Sequence, residues 1–195
     1  MKAQKKRLMF NTVDDYKRAL DIATIAIEEW NEARGLTSFD PIFEAQLFLE
    51  ELQEVVEAST LAELFCELAD CHFVLKGSQY KLEMSELTEN YWESLEQCLD
   101  LIGKMYIEQL EITPEDFGVL FYNALVVVIG NNYRKPLRSK DENGKVVKGK
   151  RVKNPVTVFK PVCEELGYDP EMPVTPPNGL AEEVQILARG LAAIQ

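Results

Sequence analysis

FLEELQEVVEASTLAELFCELADCHFVL, residues 48–75, decides how this chain is read. Apolar residues recur at helical spacing on both sides of Ala58-Ser59-Thr60. That break is so short that the two flanking helices must form an antiparallel hairpin. Glu50, Glu51 and Glu54 stand in the first run. After twelve intervening residues come Glu67 and Asp70 in the second. Spacings of three and four put side chains on one helical face. Neighbouring antiparallel helices therefore aim four or five carboxylates at one point. Such a group repels itself unless a cation joins it. Hard oxygen donors without Cys or His suit Mg²⁺ or Mn²⁺ better than zinc.

The surroundings of the second cluster strengthen this reading. Between Leu61 and Leu75 only Glu63, Glu67, Asp70 and His72 are polar. A helix apolar almost all round is a buried helix. Buried acids are normally paired or bound to metal, and no Lys or Arg stands in that stretch to pair with them. The alternative is a solvated acidic stripe, in a chain with 33 acids among 195 residues. Two matched clusters, the second on an apolar helix, favour the metal site. His72 is the one histidine, so it cannot build a zinc site, and it reads as a packed or supporting residue.

Outward from the hairpin the chain is helical. Thr12-Val-Asp-Asp15 resembles a capping box, and Tyr16, Ala19, Leu20, Ala23, Ile27 and Trp30 follow at helical spacing up to Gly35. Trp30 and Trp92 lie on apolar faces and read as core or interface, in preference to base stacking. Asp40-Pro41 starts the second helix, which runs to about Ala58. Ser59 or Thr60 caps the third, and Gly77 is expected to end or loosen it. A fourth helix is predicted from Glu86 to Gln109. Thr113-Pro-Glu-Asp116 starts a fifth that reaches about Asn132. A short helix follows over 156–166. Pro170, Pro173, Pro176 and Pro177 read as an extended linker. A last amphipathic helix carries Leu180, Val184, Leu187, Ala188 and Leu191.

The expected fold is all-α, an antiparallel helical bundle with a short basic hairpin or loop excursion and a C-terminal helix. Residues 1–167 form the domain, and 168–195 are appended to it. The fifth helix is polar only at Asn123 between Phe117 and Ile129. A symmetric partner would cover such a helix, so a homodimer or higher homo-oligomer is expected. The alternative is cover by the fourth and C-terminal helices of the same chain.

Charge divides the chain. Arg134 to Lys153 holds nine basic residues and two acids around an Asn143-Gly144 turn. The net charge is −12, which argues against general nucleic-acid binding. A basic segment in an acidic chain suits phosphate contact, through Lys135 or Arg134; a solvated hairpin is the bland reading. The four cysteines lack C-x-x-C spacing and read as reduced thiols. No apolar run approaches a membrane span. The chain is expected to be cytoplasmic.

The motif Glu50-Glu51-Leu-Gln-Glu54, twelve residues, then Glu67-Leu-Ala-Asp70, resembles the signature of the all-α nucleoside triphosphate pyrophosphohydrolases. That superfamily includes MazG-like enzymes, dimeric dUTPases and phosphoribosyl-ATP pyrophosphohydrolases. Asn132-Tyr-Arg-Lys135, followed by a basic Gly-containing loop, is similar to the N-x-x-K element of some MazG-like members. The resemblance implies Mg²⁺-dependent hydrolysis of nucleoside triphosphates, dNTPs among them, to a monophosphate and pyrophosphate. Glu51, Glu54, Glu67 and Asp70 would hold the metal. Glu50, about 100° further round the helix, would orient or deprotonate the attacking water. Asn132 and Lys135, with Arg134, would contact phosphate or sugar. Two alternatives stay open: the same fold acting on dUTP, dCTP or a phosphoribosyl nucleotide, or a non-catalytic helical cation-binding or regulatory module.

Overall fold

The computed structural model describes residues 13–85, 91–136 and 154–192; for 13–17, 91, 92, 94 and 191 it describes the backbone alone. The Thr12 cap, the Trp92 side chain, the Asn143-Gly144 turn and the basic residues from 137 to 153 lie outside the described residues. Those that are described form seven helices. They are α1 (Val13–Glu32), α2 (Pro41–Glu57), α3 (Leu61–Met84), α4 (Tyr91–Leu110), α5 (Pro114–Tyr133), α6 (Pro155–Leu166) and α7 (Leu180–Ala192). The all-α bundle expected from the sequence is what is found, and no single helix among the described residues is long and apolar enough to cross a membrane.

The α2–α3 hairpin is the centre. Asp40 caps α2, its carboxylate accepting from the Ile42 and Phe43 amides, and Pro41 occupies the first turn, where no donor is missed. Thr60 caps α3 through a capping box: its Oγ1 accepts from the Glu63 amide at 3.3 Å, and Glu63 Oε2 accepts from the Thr60 amide at 3.2 Å. Glu63 Oε2 also takes the amide and hydroxyl of Ser59. These bonds, those to Ser59 first, hold the Glu63 carboxyl below its ordinary range. Glu63 is thus a capping residue.

Helix α3 is wrapped by α1, α2, α4, α5 and α6. Leu61, Leu64, Phe65, Leu68 and Leu75 are sealed from solvent. Each side chain of that size contributes roughly 1.5–3 kcal/mol on burial. Gly77 does not end the helix, which continues to Met84. Its missing side chain admits a neighbour: a Cβ there would stand 2.9 Å from Asn31 Nδ2 of α1. The sequence signal was a close approach between helices, read as a stop.

The Pro-rich segment is no free linker. Its carbonyls at Met172 and Pro170 accept from the Leu61 and Ala62 amides, and the Val174 amide donates to Ser59 O. The first N–H groups of a helix have no partner within it; here the strap supplies acceptors for two of them. The strap then leads into α7, which lies against α2 and not against α5. Helix α5 is covered within the chain by α1, α3, α6 and, more briefly, α4.

Thr60→Ala removes one acceptor from the capped end of α3. It is expected to lower stability by about 1 kcal/mol, seen as a lower urea midpoint at unchanged slope. Thr60→Ser should recover most of the loss.

Candidate metal centre

The hairpin register carries the acids. One ligand oxygen from each of Glu51, Glu54 and Glu67 lies within 4.8 Å of the others. Glu51 and Glu67 are half-buried and Glu54 is exposed. Asp70 stands outside that tight trio, one turn along α3, and lines the same cleft as Glu51. Glu50 is exposed and does not line the cleft.

Glu67 shows what this convergence costs. Burial, then the charges of Asp70 and Glu54, then a bond shared with Glu54 and the charge of Glu51, push its carboxyl up to about 8. A carboxyl raised that far is one whose ionised form lacks compensation. Two sulfurs behind the cluster record the same field: burial and then acid charge raise the Cys66 and Cys71 thiols. The donor set is all oxygen and concentrated, which fits a hard divalent cation such as Mg²⁺ or Mn²⁺.

Glu51 and Asp70 line a cleft of about 110 Å³. Its walls come from α1, the α1–α2 loop, α2, α3 and the end of α5. Trp30, Phe43, Phe73 and Val74 form the apolar part. Trp30 and Phe73 meet edge to face at 5.1 Å, and Arg34 lies over the indole at 4.1 Å. Trp30 is therefore both core and cleft wall. Asn132 and Lys135 line the opposite side. They are held there by α1 and the turn after it: the Trp30 indole N–H donates to Asn132 O, and Arg34 Nη2 donates to Lys135 O, each at 2.9 Å. Arg134 caps α5, is exposed, and does not line the cleft.

Deeper in the cleft lies a buried trio absent from the sequence reading. Glu44 accepts from Lys81 Nζ at 2.6 and 2.8 Å and from Ser78 Oγ at 2.6 Å. Glu44 and Lys81 are nearly sealed from solvent. The one legible trace was a lysine late in an apolar helix, opposite an acid early in its hairpin partner.

His72 lies about 200° round α3 from Asp70. It packs edge-on against Phe121 at 5.6 Å. It belongs to the opposite side of the helix and not to the acid cluster, as a packed histidine would.

No family model, no curated protein and no solved structure matches this chain.

The pH dependence of stability follows from Glu67. Its folded-state pKa lies above its unfolded value, so between the two the folded state binds more protons. Stability free of divalent metal is therefore expected to fall as pH rises from about 5 to about 8. Thermal melts in EDTA should show that fall, Glu67→Gln should flatten it, and millimolar Mg²⁺ or Mn²⁺ should restore the wild-type melting temperature at pH 8. A wild-type profile that is flat in EDTA contradicts the assignment.

Proposed function

We propose that this protein is a Mg²⁺- or Mn²⁺-dependent nucleoside triphosphate pyrophosphohydrolase, releasing a nucleoside monophosphate and pyrophosphate. One observation carries the reading: three carboxylates from two helices converge, and one of them, Glu51, lines a cleft with Asp70, Asn132 and Lys135. The motif resemblance supplies the reaction, since acid spacing alone does not choose the phosphorus attacked.

Glu51, Glu54, Glu67 and Asp70 would hold the metal. Bound there, a divalent cation neutralises triphosphate charge and stabilises the charge that develops in phosphoryl transfer. Glu50, on the adjoining helical face, is the base that orients or deprotonates water; its exposure leaves it open to solvent. Lys135 contributes a cation to phosphate oxygens. Asn132 is buried and its Nδ2 already donates to Val128 O at 3.1 Å, so a contact to sugar or phosphate would use what that bond leaves; the walls of Trp30, Phe43 and Phe73 suit the flat apolar faces of a base. Arg134 lies outside the cleft lining and has the weaker claim on phosphate.

The reading includes a homodimer. Ile22 and Ile25 of α1 and Val126 of α5 stay exposed in the single chain. Light scattering at micromolar concentration is expected to give twice the monomer mass. Monomer mass with full activity on dilution refutes the dimer without touching the chemistry.

A nucleotide panel with Mg²⁺ tests the function. Turnover should yield pyrophosphate and vanish in EDTA. Glu51→Gln and Asp70→Asn are expected to lower kcat by at least about a hundredfold with helical content unchanged. Lys135→Ala should raise KM several-fold more than Arg134→Ala. Full activity in EDTA, or a nucleoside diphosphate as product, overturns the proposal.

A further inference from the structure

The cleft that Glu51 and Asp70 line is graded along α3. Asp70 stands at one end, Phe73 and Val74 follow, and Gly77 and Lys81 line it further on. At a rise of about 1.5 Å per residue, Gly77 lies roughly 10 Å beyond Asp70. The lining thus passes from acidic to apolar to polar.

The polar end holds two kinds of group. Glu44 and Lys81 are paired, so together they bring no net charge to it. Asn31 of α1 is different. It lines the cleft with only 2% of its surface exposed, and its Nδ2 donates to Ile27 O at 2.8 Å. A carbonyl can only accept, so this bond fixes which end of the amide is nitrogen. The oxygen at the other end accepts no bond among the described residues, yet it is not sealed as the unpartnered Oδ1 of Asn131 is. Gly77 gives the amide its place: a Cβ there would stand 2.9 Å from Nδ2 and 3.5 Å from Oδ1. Asn132 repeats the arrangement. Its Nδ2 is committed to Val128 O, and its Oδ1 is neither bonded within the described residues nor sealed.

Two amides on the cleft lining therefore spend a donor on their own helix and keep an acceptor open. A ligand that displaces water from such an oxygen must return a donor or lose about 1–3 kcal/mol. Bases differ in this respect at one position. Cytosine and adenine carry an exocyclic amino group, which donates; uracil and hypoxanthine carry a keto oxygen there, which accepts.

We propose that Asn31 makes the cleft selective for amino-bearing bases. Its Oδ1, turned into the cleft, accepts from the amino group of a cytosine or adenine seated against the aromatic walls, and it repels the keto oxygen of uracil or hypoxanthine. This rests on the nucleotide reading above and adds the base, which that reading leaves open.

Calorimetric titration of the full-length protein with monophosphates in Mg²⁺ tests it apart from turnover. The pairs are dCMP with dUMP and dAMP with dIMP. In each pair that binds, the amino member should bind about tenfold more tightly. Asn31→Leu, close in size and without an acceptor, should bring the ratio to about one. Gly77→Ala, which crowds the amide without removing it, should lower the ratio with helical circular dichroism unchanged, and it decides if Asn31→Leu does not fold. The ratio of kcat/KM for dCTP over dUTP should follow the same order in all three proteins. An amino preference in binding without turnover of any triphosphate overturns the hydrolytic reading and leaves this one standing. Turnover with equal kcat/KM for dCTP and dUTP overturns this one alone. A wild-type binding ratio near one, a ratio unchanged in both variants, or no binding of any monophosphate also overturns it.

Discussion

A 24-residue helix buried on nearly every side sets the terms for everything else: each charge on α3 must be matched by a neighbour. Most are. Glu63 is consumed in its own cap. Lys76 pairs with Glu96 of α4. Lys81 is enclosed with Glu44 and Ser78. Glu67 differs, because the nearest groups acting on it are other carboxylates. A helix that neutralises charge at Glu63, Lys76 and Lys81 has, at one turn, gathered like charges together. Stability alone does not favour that arrangement, which is why the acids read as a site for a cation.

The antiparallel register links these facts. With the turn fixed at Ala58–Thr60, each step back along α2 meets a step forward along α3. Glu54 meets Glu67, Glu51 shares the cleft mouth with Asp70, and Glu44 reaches Ser78 and Lys81. The acid cluster and the buried ion pair are thus successive rungs of one ladder. The first rung repels and the last attracts. A buried pair such as Glu44–Lys81 is weak evidence of net stabilisation, but losing one partner strands the other and costs about 3–5 kcal/mol. It therefore fixes the register that presents the repelling rungs.

Much of this was legible in the residues. Caps at Asp40, Thr60 and Thr113 and the apolar spacing located the helices, because capping and periodicity are local. The carboxylate convergence was legible because a short turn leaves one register. What escaped depends on contacts between distant segments. Gly77 looked like a stop, since sequence shows the missing side chain but not the Asn31 amide that occupies its place. Four prolines looked like a linker, because proline lacks a donor. Its carbonyl still accepts, and Pro170 uses it. The aromatic walls of the cleft escaped because Trp30, Phe43 and Phe73 come from three helices whose mutual rotation no single period reveals.

The two helix ends that bracket the candidate centre are finished by the same device from opposite directions. At the start of α3 the orphan amides go to the Thr60 side chain and to the strap. At the end of α5 the unpaired elements are carbonyls, and α1 and the turn after it supply the donors, through the Trp30 indole to Asn132 and the Arg34 guanidinium to Lys135. The Tyr133 hydroxyl returns the favour to Ala26 O. A helix C-terminus carries partial negative charge, so its approach to a cleft already rich in carboxylates would add to the repulsion. Closing those carbonyls with N–H donors removes part of that charge, and Lys135 just beyond adds a cation. The end of α5 is thereby made compatible with the acids that line the same cleft, Glu51 and Asp70.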